Sequence, residues 1–499
     1  MSISDKWERR AYILWIVVSI WRIAFVFLSP LDLAPDEAYY WEWSRRPDIG
    51  YLSKPPLVSW TIWLFTSIFG HSEWSIRLPA ALLISLSQLF VYLTAKRFYN
   101  EKIGFYASLI FSLNPGSCIM GYIMTIDPLL MFFWTLSLYT FYLAMEKRSI
   151  KYWIPFIISL GGGLLSKQTM SSFLILAPIF VLIREGLSKR SFFSLLSIWV
   201  SILFLIPPLI WNIKNGFPTL YHTLHHFEGS TQGFSLYLRY FLNLLGAEAL
   251  IISPLIFILI LYISVTSIIR FRDLKIQEKY LVIFGPFPLL GVILLSLKQN
   301  VYPNWPAPFF VSCIILLTAS GIGKDVKRFF YTSVIISVAF SIFTYSLPFI
   351  LPYTPLDGTY KDPLRRVKGW KATGIFTQNI IDETFHGDSP FIIVSNSRQI
   401  TSELAFYLSG RPEVYHFPPP KLCGPSQYEY WNPPPVSIHP DALIIIDKKS
   451  SISQRLRESF YEIRCLRYLD APVGRRGIRT FKIFWGRYLK CWPDLYKDS

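Results

Sequence analysis

Two adjacent carboxylates, Asp36 and Glu37, follow the first apolar segment of the sequence and a proline, Pro35. A proline in the first turn and acids near the N-terminus predict a short helix at this position. An ionised carboxylate can accept the proton of an attacking hydroxyl group, so both acids are candidates for a general base. The alternative is that they only stabilise the N-terminus of an interfacial anchor helix, whose aromatic residues begin at Tyr39 and Tyr40.

Three further charged residues, Lys54, Asp127 and Lys167, stand at the ends of apolar segments. Lys54 precedes two prolines, and its ammonium group can hold a lipid phosphate as a point charge. The alternative is that its long side chain only extends the charge to the membrane surface. Asp127 is a functional candidate because a carboxylate at membrane depth is costly, although an acid before Pro128 can also cap a helix. Lys167 follows three glycines and is either a second phosphate contact or a cation in a tight helix–helix turn.

Three histidines, His222, His225 and His226, lie in the polar stretch 212–240. Their spacing would bring two imidazoles to one metal ion if the stretch were helical, but the sequence fixes no third ligand. The alternative is a polar interfacial face. Arg239 ends this stretch next to an apolar segment. His225 and His226 are therefore weak metal candidates, and the sequence itself requires no cofactor.

The composition indicates a polytopic membrane protein. Of the 499 residues, 52% are hydrophobic and 16% charged, against about 25% charged residues in soluble proteins. The formal net charge of +17 is carried by short basic clusters between apolar segments. That pattern follows the positive-inside rule and disfavours nucleic-acid binding.

Apolar segments predict eleven membrane-spanning helices, and two additional spans would give the same sidedness. The first is read as an uncleaved signal anchor because no small-residue cleavage site follows it. Basic clusters in alternate loops place the N-terminus in the cytoplasm and the chain after about residue 350 outside. The spans are predicted near 11–28, 78–95, 103–122, 128–145, 152–166, 171–183, 194–211, 241–269, 280–297, 306–322 and 329–349.

The sequence divides into a transmembrane domain, 1–349, with a first outer loop at about 29–77, and a domain at 350–499. Short β-branched runs at 391–394 and 442–446, with a helix between them, predict a small extracytoplasmic α/β domain. It has no nucleotide-binding glycine motif. Its cysteines Cys423, Cys465 and Cys491 leave one disulfide or isolated thiols equally open.

These motifs together resemble the glycosyltransferase-C superfamily, in particular its protein O-mannosyltransferase-related branch. Within it they are similar to the lipid A aminoarabinose transferases and to bacterial proteins like dolichyl-phosphate-mannose-protein mannosyltransferases. The resemblance is strongest over residues 30–170. It rests on Asp36-Glu37, Lys54-Pro55-Pro56, Arg77-Leu78-Pro79, Asp127-Pro128-Leu129, Leu164-Leu165-Ser166-Lys167, Leu224-His225-His226 and Asn304-Trp305-Pro306-Ala307-Pro308.

The resemblance implies a glycosyltransferase-C fold with about 11 to 13 transmembrane helices and interfacial helices in the first outer loop. It also implies transfer of a hexosyl or pentosyl group from a polyprenyl-phosphate carrier to an acceptor at the outer face of the inner membrane. By matched position, the resemblance implies that Asp36 is the acid that acts as the base or positions the acceptor. Glu37 matches the residue next to that acid, and Asp127 matches the second acidic position. Lys54 matches a lysine that contacts the carrier phosphate. Lys167 and Arg239 are looser candidates for substrate binding.

Tyr39 and Tyr40 would help to seat the sugar or the prenyl chain. One position departs from the pattern, because Ser53 stands where the lipid A enzymes carry a glutamate near a bound metal. The resemblance therefore does not carry the metal site over to this sequence, nor the acceptor that goes with it. Three acceptors stay open: lipid A or lipopolysaccharide, a glycolipid and a protein hydroxyl group. Two other functions are a transporter or flippase of a lipid-linked sugar and a non-catalytic sugar-binding assembly protein.

Overall fold

The computed structural model describes residues 3–225, 234–321, 327–385, 390–418 and 426–493. The chain forms two compact units. The first contains Met1–Leu28 and Asp48–Ser346, and the second contains Ser29–Pro47 and Leu347–Ser499. The predicted boundary at residue 350 stays a prediction, while the packing groups the short segment 29–47 with the C-terminal part of the chain.

Helices make up most of the described chain. The α-helices are α1 (Ile3–Leu28), α2 (Pro35–Ser44), α3 (Leu57–Phe69), α4 (Glu73–Phe98), α5 (Glu101–Ser112), α6 (Pro115–Met120), α7 (Ile126–Lys147), α8 (Ile150–Leu164), α9 (Phe173–Glu185), α10 (Lys189–Val200), α11 (Ile206–Lys214), α12 (Pro218–His225), α13 (Phe234–Ile252), α14 (Pro254–Ile269), α15 (Ile276–Phe284), α16 (Pro286–Leu295), α17 (Phe309–Gly321), α18 (Lys327–Ile350), α19 (Trp370–Thr384), α20 (Arg398–Tyr407) and α21 (Gln454–Glu458). The strands are β1 (Phe391–Ser395), β2 (Val414–His416), β3 (Asp441–Asp447), β4 (Phe460–Val473) and β5 (Gly477–Leu489).

Eight helical segments of the described residues are long and apolar enough to cross a membrane. Four shorter apolar helices, α3, α8, α14 and α17, accompany them. The prediction of a polytopic membrane protein is confirmed, while the count of eleven spans stays a prediction. The eight segments are Asp5–Leu28, Glu73–Phe98, Ile126–Lys147, Gln168–Glu185, Lys189–Lys214, Ser235–Ile252, Ile276–Leu295 and Lys327–Tyr353.

Four apolar segments predicted as single spans are each divided between two α-helices, and the breaks in 103–122 and 241–269 illustrate the reason. In the segment 103–122, α5 ends at Ser112 and the Asn114 side chain accepts a hydrogen bond from Ser117 N (2.8 Å) at the start of α6. In the segment 241–269, Ser253 separates α13 from α14 with a φ of +90°. A proline follows each break and cannot donate a backbone hydrogen bond, so a new helix starts there.

The three consecutive glycines that precede Lys167 lie where helices and turns pack closely in the first unit. A Cβ atom on Gly161 would come within 2.4 Å of the Phe204 ring, and one on Gly162 within 2.4 Å of the Phe133 ring. The sequence-based expectation of close packing at these glycines is confirmed, since any larger residue would displace an aromatic side chain.

One end of the first unit gathers the basic residues of several helices. Lys96 at the end of α4 pairs with Glu8 near the start of α1 (2.7 Å). Arg97 pairs with Glu146 near the end of α7 (2.6 Å). Because α7 runs from Ile126 to Lys147, Asp127 lies at its opposite end. The structure therefore separates the basic clusters from the predicted site residues of this unit by the length of a helix.

The second unit contains a five-stranded sheet with the strand order β2-β1-β3-β5-β4. Strand β1 is parallel to β2 and β3, while β5 is antiparallel to β3 and β4. The predicted α/β domain is confirmed, including both predicted strands. Segment 29–47 belongs to this unit: Tyr407 Oη accepts a hydrogen bond from Leu33 N (2.8 Å), and Asp32 Oδ2 accepts one from Trp370 N (2.7 Å).

Candidate active site

Helix α2 forms as the sequence predicts, with Pro35 in its first turn. Glu37 is fully buried, and its Oε2 accepts a hydrogen bond from Ala34 N (2.8 Å), so this carboxylate caps the helix. The Asp36 side chain is about half exposed. The two adjacent acids are therefore in different environments, because Glu37 is buried and Asp36 is half exposed.

The one described partner of the Asp36 carboxylate is Arg398, the first residue of α20. Arg398 Nη2 donates to Asp36 Oδ1 at 3.2 Å, and both side chains are close to half exposed. The other oxygen, Oδ2, accepts no hydrogen bond from a described residue. The guanidinium therefore holds one carboxylate oxygen of Asp36 through a charge-assisted hydrogen bond.

Arg398 lies on a continuous stack of planar side chains. Its guanidinium lies 4.5 Å from the ring centre of Tyr39, which packs on Tyr428 at 5.6 Å, and Tyr428 packs on His416 at 5.5 Å. Tyr39 Oη accepts a hydrogen bond from Gln427 N (2.7 Å). Burial raises the pKa of Tyr39 to about 12, against the opposing effect of the Arg398 cation, so Tyr39 is neutral at physiological pH.

Tyr39 and Tyr40, which the sequence suggested as substrate-binding residues, are only 2% and 7% exposed. Tyr40 packs edge-on against Trp43 at 5.1 Å. Their contacts position α2 and Arg398, and substrate binding by either tyrosine stays a prediction.

A second cluster lies in the first unit around Asp127. Lys167 Nζ donates to Asp127 Oδ1 at 2.7 Å and to the main-chain oxygen of Asn304 at 3.2 Å. Asn304 Nδ2 donates to Asp127 Oδ2 at 3.0 Å, and Thr125 Oγ1 donates to the same oxygen at 3.3 Å. The cluster joins the start of α7, the turn after α8 and the loop before α17.

Both charges of this cluster are compensated. The side chain of Lys167 is 5% exposed and that of Asp127 16%. Two of the three Lys167 ammonium donors are used within the protein. The arrangement favours an ion pair that fixes three segments, and direct substrate contact by either residue stays a prediction.

The segment that carries Lys54 packs against the same turn after α8. Gln168 Nε2 donates to the Ser53 main-chain oxygen at 3.0 Å, and Leu57 N donates to the Leu165 oxygen at 3.1 Å. Lys54 itself is partly exposed. The structure thus brings the sequence neighbours of Lys54 and Lys167 together within the first unit.

The remaining candidates are less constrained. Arg239 is exposed in the second turn of α13 and has no hydrogen bond or ion pair to a described residue. His226 lies outside the described residues, and for His225 only the backbone, at the end of α12, is described. Among the described residues no three His, Cys, Asp or Glu side chains are grouped to hold a metal ion. With Ser53 in place of a glutamate, the described residues do not fit a metal site.

The cysteines of the second unit are separated in the part that the structure describes. Cys465 and Cys491 are both exposed free thiols. Cys465 is paired in register with Phe484 on β5, whereas Cys491 N bonds to the oxygen of Ser459, the residue before β4. Cys423 lies outside the described residues, so a disulfide from it stays open.

Sequence reasoning missed Arg398 and undervalued Asn304. Arg398 is 362 positions from its partner Asp36 in the sequence. Asn304 stands in the sequence as the first residue of the motif Asn304-Trp305-Pro306-Ala307-Pro308, which does not indicate its partner. Neither pairing is readable from local spacing, because both depend on contacts between distant segments.

The described part of the chain is a polytopic membrane protein with a small C-terminal sheet domain. The structure matches crystal structures of ArnT from Cupriavidus metallidurans in the apo state (TM-score 0.61, 15% identity) and bound to undecaprenyl phosphate (TM-score 0.59, 15% identity). The first match covers 97% of this chain and 98% of that chain, and the second covers 95% and 97%. At this identity the matches show the fold.

Sequence comparisons agree with the resemblance described above. Residues 53–211 match the model of the family described as dolichyl-phosphate-mannose-protein mannosyltransferase. The lipid A galacturonosyltransferase RgtD of Rhizobium johnstonii is 27% identical over 60% of this chain and 62% of its own length. An undecaprenyl phosphate-alpha-4-amino-4-deoxy-L-arabinose arabinosyl transferase of Proteus mirabilis is 30% identical over 34% of each chain. The matched part of this chain therefore spans less than two thirds of either relative.

Proposed function

We propose that this protein transfers a sugar from a polyprenyl-phosphate carrier to an acceptor hydroxyl group at the outer face of the inner membrane. Lipid A or another part of lipopolysaccharide is the first acceptor to test. The names of the two relatives, one a lipid A galacturonosyltransferase and the other an arabinosyl transferase for an undecaprenyl-phosphate-linked sugar, support this choice. A glycolipid or a protein hydroxyl group is the next acceptor to test.

The half-exposed carboxylate of Asp36 carries the proposal. An acceptor hydroxyl group gives its proton to Asp36 Oδ2, and its oxygen attacks the anomeric carbon of the donor sugar. The bond from that carbon to the phosphate oxygen breaks, and the polyprenyl phosphate leaves with the electron pair. Asp36 is suited to this role because only one of its oxygens has a described partner.

Lys54 is the best candidate for the carrier phosphate. A leaving phosphate gains negative charge, and a nearby ammonium group stabilises it. Lys167 is less suited as the primary contact because Asp127 and Asn304 already take two of its donors. Its third donor and the exposed Arg239 are secondary candidates. Glu37 is proposed as a helix cap rather than a base, and no step uses a metal ion.

The sidedness is also proposed: the N-terminus is cytoplasmic and the second unit extracytoplasmic. The ion pairs Lys96–Glu8 and Arg97–Glu146 support it, since they gather basic residues at one end of the first unit. Asp127 lies at the opposite end of α7, which is the end expected to face outward.

The transfer reaction can be tested with the purified full-length protein in lipid nanodiscs. The donors are undecaprenyl-phosphate-linked 4-amino-4-deoxy-arabinose and polyprenyl-phosphate-linked galacturonic acid, each supplied with lipid A. Mass spectrometry is expected to show lipid A heavier by one sugar with one of the two donors. Movement of the donor across vesicle membranes with no transfer to any acceptor would instead indicate a flippase.

The role of Asp36 has a matched control in the same unit. Asp36→Asn is expected to lower the transfer rate about 100-fold or more, since the amide cannot accept the proton. Asp382→Asn changes an exposed aspartate of α19 and should leave the rate unchanged. An Asp36→Asn protein with full activity would refute the assignment of the base.

A further inference from the structure

The Asp36 carboxylate is held at one oxygen by a residue that cannot itself exchange protons. Arg398 is permanently charged and presents a planar set of donors, so it is neither an acid nor a base. Of its donors, Nη2 alone bonds to another described side chain, and that partner is Asp36. Arg398 can therefore affect the chemistry only through charge and geometry.

An aromatic stack restricts the position of the Arg398 guanidinium. The guanidinium lies over Tyr39, and the stack continues through Tyr428 to His416. His416 Nδ1 lies 3.0 Å from Glu429 Oε1, with both side chains buried. A guanidinium over an aromatic face is attracted electrostatically, and the ring also restricts its rotation. The stack thus limits the positions from which Arg398 can reach Asp36.

Asp36 itself has few other restraints. It lies in the first turn of α2 with about half of its side chain exposed, and Arg398 is its one described side-chain partner. Without that contact the carboxylate would rotate among its side-chain rotamers. A general base must lie within hydrogen-bond distance of the proton that it accepts, so this rotation would slow transfer.

We propose that Arg398 is a positioning residue, which holds Asp36 Oδ1 so that Oδ2 faces the acceptor hydroxyl group. This inference rests on the proposed function, because it assumes that Asp36 is the base. It assigns to the C-terminal α/β domain a direct part in the transfer step, through the first residue of α20. The domain would then supply one component of the active site in addition to any structural role.

The test uses four variants of the full-length protein in the nanodisc transfer assay described above. Arg398→Gln and Arg398→Ala remove the charge, and Arg398→Lys keeps the charge but loses the planar set of donors. Arg467→Gln is the control, because Arg467 pairs with Glu383 on the same unit and its side chain has the same exposed fraction, 46%. The acceptor concentration is varied so that kcat and KM are obtained separately.

We expect Arg398→Gln and Arg398→Ala to lower kcat about 10-fold to 100-fold with little change in KM for either substrate. Arg398→Lys should recover part of the loss. Guanidinium ions added to Arg398→Ala should restore part of kcat, because the site is half exposed, and should not raise kcat of Arg467→Gln. In a double variant with Asp36→Asn, loss of Arg398 should have almost no additional effect.

Different results separate this inference from the proposed function. If Asp36→Asn retains full activity, the proposed base is wrong whatever the Arg398 variants do. If Asp36→Asn is inactive while Arg398→Gln keeps the full kcat, the positioning role alone is refuted. A raised KM with unchanged kcat would show that Arg398 binds a substrate instead. Equal losses of kcat in Arg398→Gln and Arg467→Gln, with no rescue by guanidinium, would indicate a general structural effect and overturn the proposal.

Discussion

Replacement of Lys167 by methionine tests whether the Asp127 cluster is a stabilising ion pair. The substitution keeps most of the side-chain volume and removes the ammonium group. Asp127 would then lose its contact at 2.7 Å and remain as a largely buried carboxylate. Asn304 would lose the donor to its main-chain oxygen as well. The three segments joined by the cluster should separate more easily.

The size of the effect follows from the contact distance and the burial. At an effective dielectric constant of about 20, unit charges at the Asp127–Lys167 distance of 2.7 Å attract by roughly 6 kcal/mol. The desolvation of both groups offsets much of this gain, so the net contribution of the intact pair is small. Removal of one partner is different, because it leaves an uncompensated buried charge and costs about 3–5 kcal/mol.

Thermal unfolding in detergent, monitored by the fluorescence of buried tryptophans, measures the loss. Lys189→Met is the control, because Lys189 is exposed at the start of α10 in the same unit. We expect Lys167→Met to unfold at a markedly lower temperature than Lys189→Met. The double variant Asp127→Asn with Lys167→Met should recover part of the stability, since no charge is then left unpaired.

Two results would refute the reasoning about Lys167. One is an unfolding temperature of Lys167→Met equal to that of Lys189→Met, which would mean that loss of Lys167 leaves no costly buried charge. The other is a double variant that is less stable than Lys167→Met alone, because removal of the stranded charge should help. A loss of donor binding by Lys167→Met without any loss of stability would instead support its role as a phosphate contact.

Three further predictions concern other parts of the protein. Lys54→Gln should raise KM for the polyprenyl-phosphate donor about tenfold without changing the fold, and titration with the donor measures this KM. An unchanged KM would exclude a contact between Lys54 and the phosphate. Gly162→Leu should destabilise the first unit by about 1–3 kcal/mol, seen as a lower unfolding temperature, because the ring of Phe133 fills the space of its Cβ. Burial opposes ionisation of Asp357, but the hydrogen bonds and positive charges of Lys368 and Arg475 together outweigh it and lower the pKa of Asp357. The stability from this pair is therefore present above the pKa of an aspartate in the unfolded chain, near 3.9, and is lost as the pH falls through the lower pKa of the folded protein. Asp357→Asn should remove this pH dependence of stability in unfolding scans between about pH 5 and 2.

Local sequence rules predicted most of the elements because each rule depends on neighbouring residues. Pro35 and the two acids after it predicted α2, and the β-branched run at 442–446 predicted β3. The rules were less successful where a long apolar run is broken. Ser253 has no strong preference for a positive φ, so the break between α13 and α14 could not be found from hydropathy.

The sequence alone determined the class of the protein and the identity of its main candidate residues. Apolar segments of membrane-spanning length, and acids and lysines at their ends, are properties of the order of residues along the chain. The family motifs around Asp36, Lys54 and Asp127 are also local.

Tertiary structure decided which of these charges are available for chemistry. Glu37 and Asp36 are neighbours in the sequence, yet one is a buried helix cap and the other is half exposed beside Arg398. Lys167 is drawn into an ion pair with Asp127, a residue 40 positions earlier. Burial and partnership depend on segments that meet only in the folded chain, so no rule based on sequence spacing could assign them.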